Sequence, residues 1–169
     1  MLAIFRFFLA VSMLLFAQPA LAQKISTASS TGDYASDLGT LNGVMKMTGF
    51  TRDICIEAYP DAQQAINDAY NAWRERYKPF LQEIALRMNL LLLEDSQQSG
   101  ISLAQEMAAY TTEMAKMKPA LKAMYSKDGQ ASFRAFCERY PRTLLGDAVG
   151  NIEKHYPEHV ATVRKVPVQ

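Results

Sequence analysis

The chain has 169 residues, of which 49% are hydrophobic, and it carries 18 Lys and Arg against 17 Asp and Glu. The formal net charge of +1 argues against a nucleic-acid-binding surface, which needs a clustered basic excess to gain from counterion release. The length suits one domain with its own hydrophobic core. A second domain is not expected.

Residues 1–22 have the pattern of a secretory signal peptide. Arg6 supplies a basic start, an apolar run follows over 7–16, and Ala20 and Ala22 are the small residues of a cleavage site. An uncleaved membrane anchor is the alternative, but the apolar run is short of the roughly 20 residues that a spanning helix needs. We therefore expect a periplasmic or secreted product without a membrane span after cleavage.

Residues 23–34 are rich in Ser and Thr and include one Gly and one Lys. They are expected to form a flexible spacer, because they offer little apolar surface to offset the entropy lost on ordering. A helical domain is predicted over 35–157. Its first helix runs to about Ala58 with a break near Gly49, since each glycine weakens a helix by up to about 1 kcal/mol relative to alanine.

The second helix is predicted from apolar residues that recur every three or four positions up to Leu91. Pro60 fits its first turn. Pro79 lies in the middle of the pattern, where proline removes a backbone hydrogen bond and crowds the preceding turn. A break near 75–78 is therefore expected, and the polar residues 94–100 are expected to close the element as a loop.

The third helix begins at Ser102 and has the strictest pattern in the chain, with apolar residues spaced alternately four and three apart. We call this set the methionine seam; it consists of Leu103, Met107, Tyr110, Met114, Met117, Leu121 and Met124. Pro119 lies inside the pattern, and the segment 126–129 is expected to end the helix. Such a seam is typical of a helix that packs against another helix.

A short fourth helix is expected around Phe133, and a fifth begins at Pro141, because proline fits a first turn. Pro157 is expected to end the fifth, which leaves 158–169 as an irregular tail. No segment shows the alternating pattern of strands. The sequence therefore predicts an all-α protein, an antiparallel bundle of four to five helices in which prolines interrupt the second and third.

The chain has two cysteines, Cys55 and Cys137, and each lies shortly before a Tyr-Pro pair. An exported protein with two cysteines has one possible intramolecular pairing. A Cys55–Cys137 disulfide is therefore predicted, with buried free thiols or pairing between chains as the alternatives. The spacing lacks the Cys-x-x-Cys proximity of redox-active thiols. The expected role is structural, tying two helix ends together.

The segment from His155 to His159 matches His-x-x-Glu-His, the arrangement of a class of zinc peptidases in which two histidines bind the metal and the acid activates water. Glu158 would be that acid. Pro157 opposes this interpretation, because it disrupts the helix that would align the histidines, and the sequence contains no third histidine. A metal-dependent hydrolase is the less favoured hypothesis, and two exposed histidines are expected.

Methionine gives a second metal hypothesis, because thioether sulfur is a soft ligand for Cu(I). Met114 and Met117, with His155 and His159, are the candidate ligands for copper or zinc. Packing is the favoured explanation for the methionines, since they lie on a seam where a core needs apolar filler. An intermediate interpretation is an adaptable groove for an apolar ligand or peptide. That groove would consist of Met107, Tyr110, Met114, Met117 and Met124.

The sequence contains no nucleophilic serine elbow, phosphate-binding glycine loop or haem-attachment motif. No cofactor is expected. The predicted function is a non-enzymatic binding or interaction protein of the cell envelope, whose partner is an unidentified protein or apolar ligand. Periplasmic handling of copper or zinc is the alternative.

Overall fold

A computed structural model of the chain describes residues 29–146 and 150–168. Over these residues the chain forms seven α-helices, one short 3₁₀-helix at Pro60–Ala62 and no strand. The helices are α1 (Tyr34–Ala58), α2 (Gln63–Arg76), α3 (Lys78–Ser99), α4 (Leu103–Ser126), α5 (Gln130–Leu145), α6 (Ile152–His155) and α7 (Pro157–Lys165). The predicted all-α class and helical bundle are confirmed. The predicted signal peptide and residues 23–28 of the predicted spacer lie outside the described residues.

Helix α1 is the centre of the bundle, because α2, α3, α4 and α7 all pack on it. Along this helix, which the structure describes in full, only Lys46 and Glu57 are exposed. The Asp33 carboxylate caps its first turn by accepting a hydrogen bond from Ser36 N–H at 2.8 Å. The polar cap and the packing along most of its length explain why α1 is stable although its apolar residues are not confined to one side.

The expected break near Gly49 is wrong, because α1 is continuous from Tyr34 to Ala58. Gly49 lies where α1 and α2 approach each other closely. A Cβ atom at this position would lie 3.3 Å from the hydroxyl oxygen of Tyr70. Packing between the two helices therefore outweighs the low helix propensity of glycine.

The break predicted before Pro79 is present. Helix α2 ends at Arg76 and α3 begins at Lys78, with Tyr77 between them in a non-helical conformation. Pro79 therefore occupies the first turn of α3. Its missing N–H costs nothing there, because the first N–H groups of a helix have no helical partner.

The polar segment 94–100 is helical, so the prediction of a loop is wrong. Helix α3 continues to Ser99, and Gly100 ends it in a left-handed conformation with φ of 72°. The Gly100 N–H donates to Ser96 O at 3.1 Å, which satisfies one of the last carbonyl groups. The glycine, and not the polar composition before it, marks the end of the helix.

Helix α4 begins and ends as predicted. The Ser102 hydroxyl accepts a hydrogen bond from Gln105 N–H, and the Gln105 side chain accepts one from Ser102 N–H. This capping box satisfies two free N–H groups at the start of the helix. Pro119 lies inside α4, which ends at Ser126.

Pro141 does not start a separate helix, because α5 continues without interruption from Gln130 to Leu145. The buried residues of α5 recur at steps of four, three and four, and they are Phe133, Cys137, Tyr140 and Leu144. One face therefore stays buried on both sides of the proline. Packing of this face, mainly against α2, stabilises the helix more than the missing N–H weakens it.

The C-terminal residues are helical rather than irregular. Pro157 begins α7 instead of ending a helix, and α7 continues to Lys165, which agrees with the preference of proline for a first turn. Val160 and Val163 are buried, and α7 packs on α1. These two valines, one helical turn apart, are the sequence signal that indicates a helix in this segment.

The predicted disulfide is confirmed. Cys55, near the end of α1, is bonded to Cys137 of α5, with a Cα–Cα distance of 5.4 Å. Both cysteines are fully buried. The hydroxyl of the buried Tyr140 donates to Thr48 O at 2.8 Å, and burial raises the pKa of Tyr140. A covalent bond and a hydrogen bond thus hold α5 against α1.

Candidate functional site

The methionine seam of α4 is mostly occupied by packing within the molecule. Met114 is buried, and Tyr110, Met117 and Met124 are half-buried. The Tyr110 hydroxyl also accepts a hydrogen bond from the side-chain amide of Asn42 in α1. Met107 is the well-exposed member of the predicted groove, at 45%. The predicted groove is therefore a contact face over most of its length, because α1 covers it.

The candidate metal ligands are placed in different surroundings. His155 ends α6, and His159 follows in α7 beyond the turn between these helices. His159 is 3% exposed and its Nε2 lies 3.9 Å from Asp37 Oδ1, so the prediction that it is exposed is wrong. Met114 and Met117 belong to the helix contact described above. Within residues 29–146 and 150–168, no three His, Cys, Asp or Glu side chains are placed to hold a metal ion together.

A buried polar cluster surrounds Asp37 near the start of α1. The Asp37 carboxylate accepts hydrogen bonds from Ser30 Oγ, from Thr31 N–H at 3.0 Å and from Thr31 Oγ1 at 3.1 Å. Ser30 Oγ lies 3.1 Å from Thr162 Oγ1 of α7. Asp37 therefore joins the segment that precedes α1 to both α1 and α7, a structural role that the sequence did not indicate.

The ionised form of Asp37 is favoured in the folded protein. Burial of the carboxyl disfavours its charge, but the hydrogen bonds from Ser30 and Thr31 and the nearby His159 outweigh burial and hold the pKa below its usual value. A group with a depressed folded-state pKa stabilises the fold above its unfolded pKa of about 4. That contribution is lost as the pH falls through the folded-state pKa.

We expect Asp37→Asn to lower the free energy of unfolding by about 1–3 kcal/mol at pH 7, since an amide cannot accept hydrogen bonds at both of its ends. The difference from the native protein should shrink at pH 3, because this pH lies below the unfolded pKa of about 4, where the stability that comes from the depressed folded-state pKa is being lost. Urea denaturation at pH 7 and at pH 3 measures the difference in unfolding free energy between the variant and the native protein. Asp68→Asn, at an exposed position of α2, is the control and should change little. An equal loss at both pH values would contradict the role of the charge.

The outer face of α3 is exposed, and it is uncharged up to Leu93; the next residue, Glu94, is exposed as well. From Pro79 to Leu93, a stretch that the structure describes in full, every exposed residue of this helix is uncharged. The exposed and half-exposed side chains that follow one another along the face are Gln82, Leu86, Asn89, Leu90, Leu93 and Gln97. We call this set the α3 face. Leu86 is 49% exposed and Leu93 is 38% exposed, and with Leu90 they lie one or two turns apart on the same side of the helix.

The charged side chains in the middle of α3 are used inside the molecule, beside the α3 face. Glu83 pairs with Arg164 of α7 at 2.7 Å and with Arg87 at 3.1 Å. Arg87 is buried and donates to Val166 O at 2.7 Å. The hydrogen bond from Arg164 lowers the pKa of Glu83, which keeps the pair ionised. These contacts hold the C-terminal segment against α3. Glu83 and Arg87 are therefore not part of the α3 face, which consists of leucines and amides.

The α3 face is not apparent as a candidate site from the sequence alone. The available signal is the spacing of Leu86, Leu90 and Leu93, at steps of four and three. That signal is hidden, because Ile84 and Leu92 give the same helix a second apolar side, which is the buried one. Composition alone cannot tell which of two apolar sides a neighbouring helix covers.

Comparison with protein-family models, curated proteins and solved structures gives no match to this chain. Among the helices of the described residues, none combines the length and the hydropathy needed to cross a membrane.

Proposed function

We propose that the chain is an exported, non-enzymatic interaction protein of the cell envelope and that the α3 face is its binding surface. The observation that carries the proposal is the exposed leucine stripe of α3, bordered by uncharged amides. The signal-like residues 1–22 support export. The Cys55–Cys137 bond agrees with it, because disulfides persist in oxidising compartments.

The chemistry of the α3 face suits the binding of another apolar surface. A half-exposed leucine gains roughly 1 kcal/mol when a partner covers it. Covering a charged side chain without a matching partner would cost several kcal/mol, and the α3 face does not carry that cost. Gln82, Asn89 and Gln97 can exchange hydrogen bonds with water for hydrogen bonds with a partner. Contact with a partner is therefore favourable for the α3 face, because burying its leucines lowers the free energy and none of its six side chains is charged.

Photo-crosslinking in the native host tests the binding surface. A photoreactive phenylalanine analogue replaces Leu90 in one strain and Leu145 in another. Leu145 is the matched control, since it is a leucine with 42% exposure on α5, away from the α3 face. We expect a crosslinked adduct from position 90 and only background from position 145. No adduct from position 90, or equal adducts from both positions, would contradict the proposal.

The intact mass of the protein from the envelope fraction tests export. We expect a mass that lacks residues 1–22 and corresponds to a formed disulfide, without free thiols. Protein that is confined to the cytoplasm, with residues 1–22 present and both cysteines reduced, would contradict export.

A further inference from the structure

Met107 is the most exposed methionine of the described residues. It is 45% exposed, whereas Met114, about two turns further along the same seam, is 8% exposed. The other methionines within residues 29–146 and 150–168 are half-buried. We infer that Met107 is a site of reversible oxidation, at which a peroxide converts the thioether to a sulfoxide while the protein stays folded.

The reaction needs no group of the protein other than the sulfur atom. A lone pair of the Met107 Sδ attacks one oxygen of hydrogen peroxide and the O–O bond breaks. The proton of the transferred oxygen passes to the other oxygen, which leaves as water. The sulfur is thereby oxidised by two electrons, and the peroxide is reduced. A methionine sulfoxide reductase reverses the change, because two thiols are oxidised to a disulfide and the sulfoxide oxygen leaves as water.

The surroundings of Met107 leave its sulfur open to a small oxidant. A long helical side chain lies over the turn that precedes it, and in that turn Ala104 is small and exposed. Ala108 and Thr111 are exposed as well. The Thr111 hydroxyl donates to Met107 O at 2.8 Å, so it is held against the backbone. Short side chains on this side of α4 therefore give a peroxide access to the sulfur without a change in the fold.

Met114 shows what the same reaction requires at a covered position of the seam. Met114 is buried where α4 packs against α1, so a peroxide reaches its sulfur only when these helices separate. A sulfoxide there would place a polar oxygen in apolar surroundings, which is costly without a hydrogen-bond partner. Water can hydrate a sulfoxide at Met107. Oxidation of Met107 is therefore compatible with the native fold, and oxidation of Met114 is not.

A time course with hydrogen peroxide on the mature, disulfide-bonded chain tests the inference. Mass spectrometry with peptide fragmentation follows the sulfoxide at each methionine. In native buffer, Met107 should be oxidised first, about tenfold or more faster than Met114, because the buried sulfur reacts only after local opening. In denaturing guanidinium the two rates should become equal. Urea below the unfolding transition should accelerate the oxidation of Met114 and leave the rate at Met107 unchanged.

M107L and M114L are matched variants, because leucine keeps the apolar volume and removes the sulfur. M107L should lose the fastest phase of oxidation, and M114L should keep it. The melting temperature of the chain oxidised at Met107 alone should stay within about 3 °C of the native value, because the sulfoxide is hydrated. Methionine sulfoxide reductases for both sulfoxide epimers, supplied with a dithiol, should restore the thioether of Met107 in the folded chain.

Equal rates at Met107 and Met114 in native buffer would overturn the inference, and so would a faster reaction at a half-buried methionine. A decrease in melting temperature larger than about 3 °C after oxidation of Met107 alone would show that the modification disturbs the fold. A sulfoxide that the reductases leave in place would show that the modification is not reversible, and either result would overturn the inference as well. The inference does not depend on the α3 face, so these outcomes leave the proposed function unaffected.

Discussion

The variant C55A/C137A should lose about 4 kcal/mol of unfolding free energy. The disulfide joins residues separated by 82 positions, and closing a loop of this size constrains the unfolded chain by about 4–5 kcal/mol in the chain-entropy model. Measured values are commonly somewhat lower. Alanine is the suitable replacement, because both sulfur positions are fully buried and a serine hydroxyl would add the cost of an unpaired polar group.

Guanidinium denaturation followed by circular dichroism measures this loss. Alanine at both positions removes the covalent bond and keeps the surroundings apolar. A second measurement uses the native chain: since Cys55 and Cys137 have no exposed surface, a reductant should reach them only after unfolding. Reduction should therefore proceed at the rate of unfolding in native buffer. Rapid reduction of the folded chain, or a loss below about 1 kcal/mol in the double variant, would contradict the clamping role.

Gly150→Ala should be strongly destabilising, by about 3 kcal/mol. A Cβ atom at Gly150 would lie 1.9 Å from Leu144 O and 3.4 Å from the ring of Trp73, so the backbone must move. The movement would also disturb the hydrogen bond from Trp73 Nε1 to Gly150 O, which is 2.8 Å long and buried. Overpacking costs about 1–3 kcal/mol, and loss of the buried hydrogen bond adds to it.

Gly43→Ala is the matched control for this prediction. It is the same substitution within α1, at a position where the new Cβ would meet no atom within 4 Å apart from its chain neighbours and the backbone of its own helix. Alanine should therefore stabilise this helix by up to about 1 kcal/mol. The two variants should shift the melting temperature in opposite directions. Emission of Trp73, the single tryptophan of the sequence, should change in Gly150→Ala. Similar melting temperatures for both variants would contradict the close packing at Gly150.

The helices of this protein were largely predictable, and so was the break before Pro79, but the effects of Pro141 and Pro157 were not. Pro79 starts a helix, Pro141 lies inside one, and Pro157 starts one where the sequence suggested an end. In all three cases proline has a fixed φ and lacks a backbone N–H. The difference lies in the flanking residues: buried side chains on both sides of Pro141 hold α5 together, and Val160 after Pro157 gives α7 a face to bury.

The disulfide was predictable because a chain with two cysteines has one possible intramolecular pairing, and the signal-like residues 1–22 predict an oxidising compartment. The candidate site was not. The methionine seam was a candidate because of its regular spacing. In the structure, the residues with this spacing pack against α1. Leu86 and Leu93 have equally regular spacing and remain exposed. Periodicity shows that a helix has an apolar side, but only the arrangement of the neighbouring helices shows whether that side is covered.

The most direct measurement for the central claim is carbene footprinting of the chain in intact envelopes and as a dilute purified monomer. The extent of labelling at Leu86, Leu90 and Leu93 is compared with that at Leu145. Labelling of the three α3 leucines should fall severalfold in the envelope relative to the diluted protein, while labelling of Leu145 stays the same. Equal labelling of the α3 leucines in both samples would show that nothing binds the α3 face and would contradict its role as the binding surface.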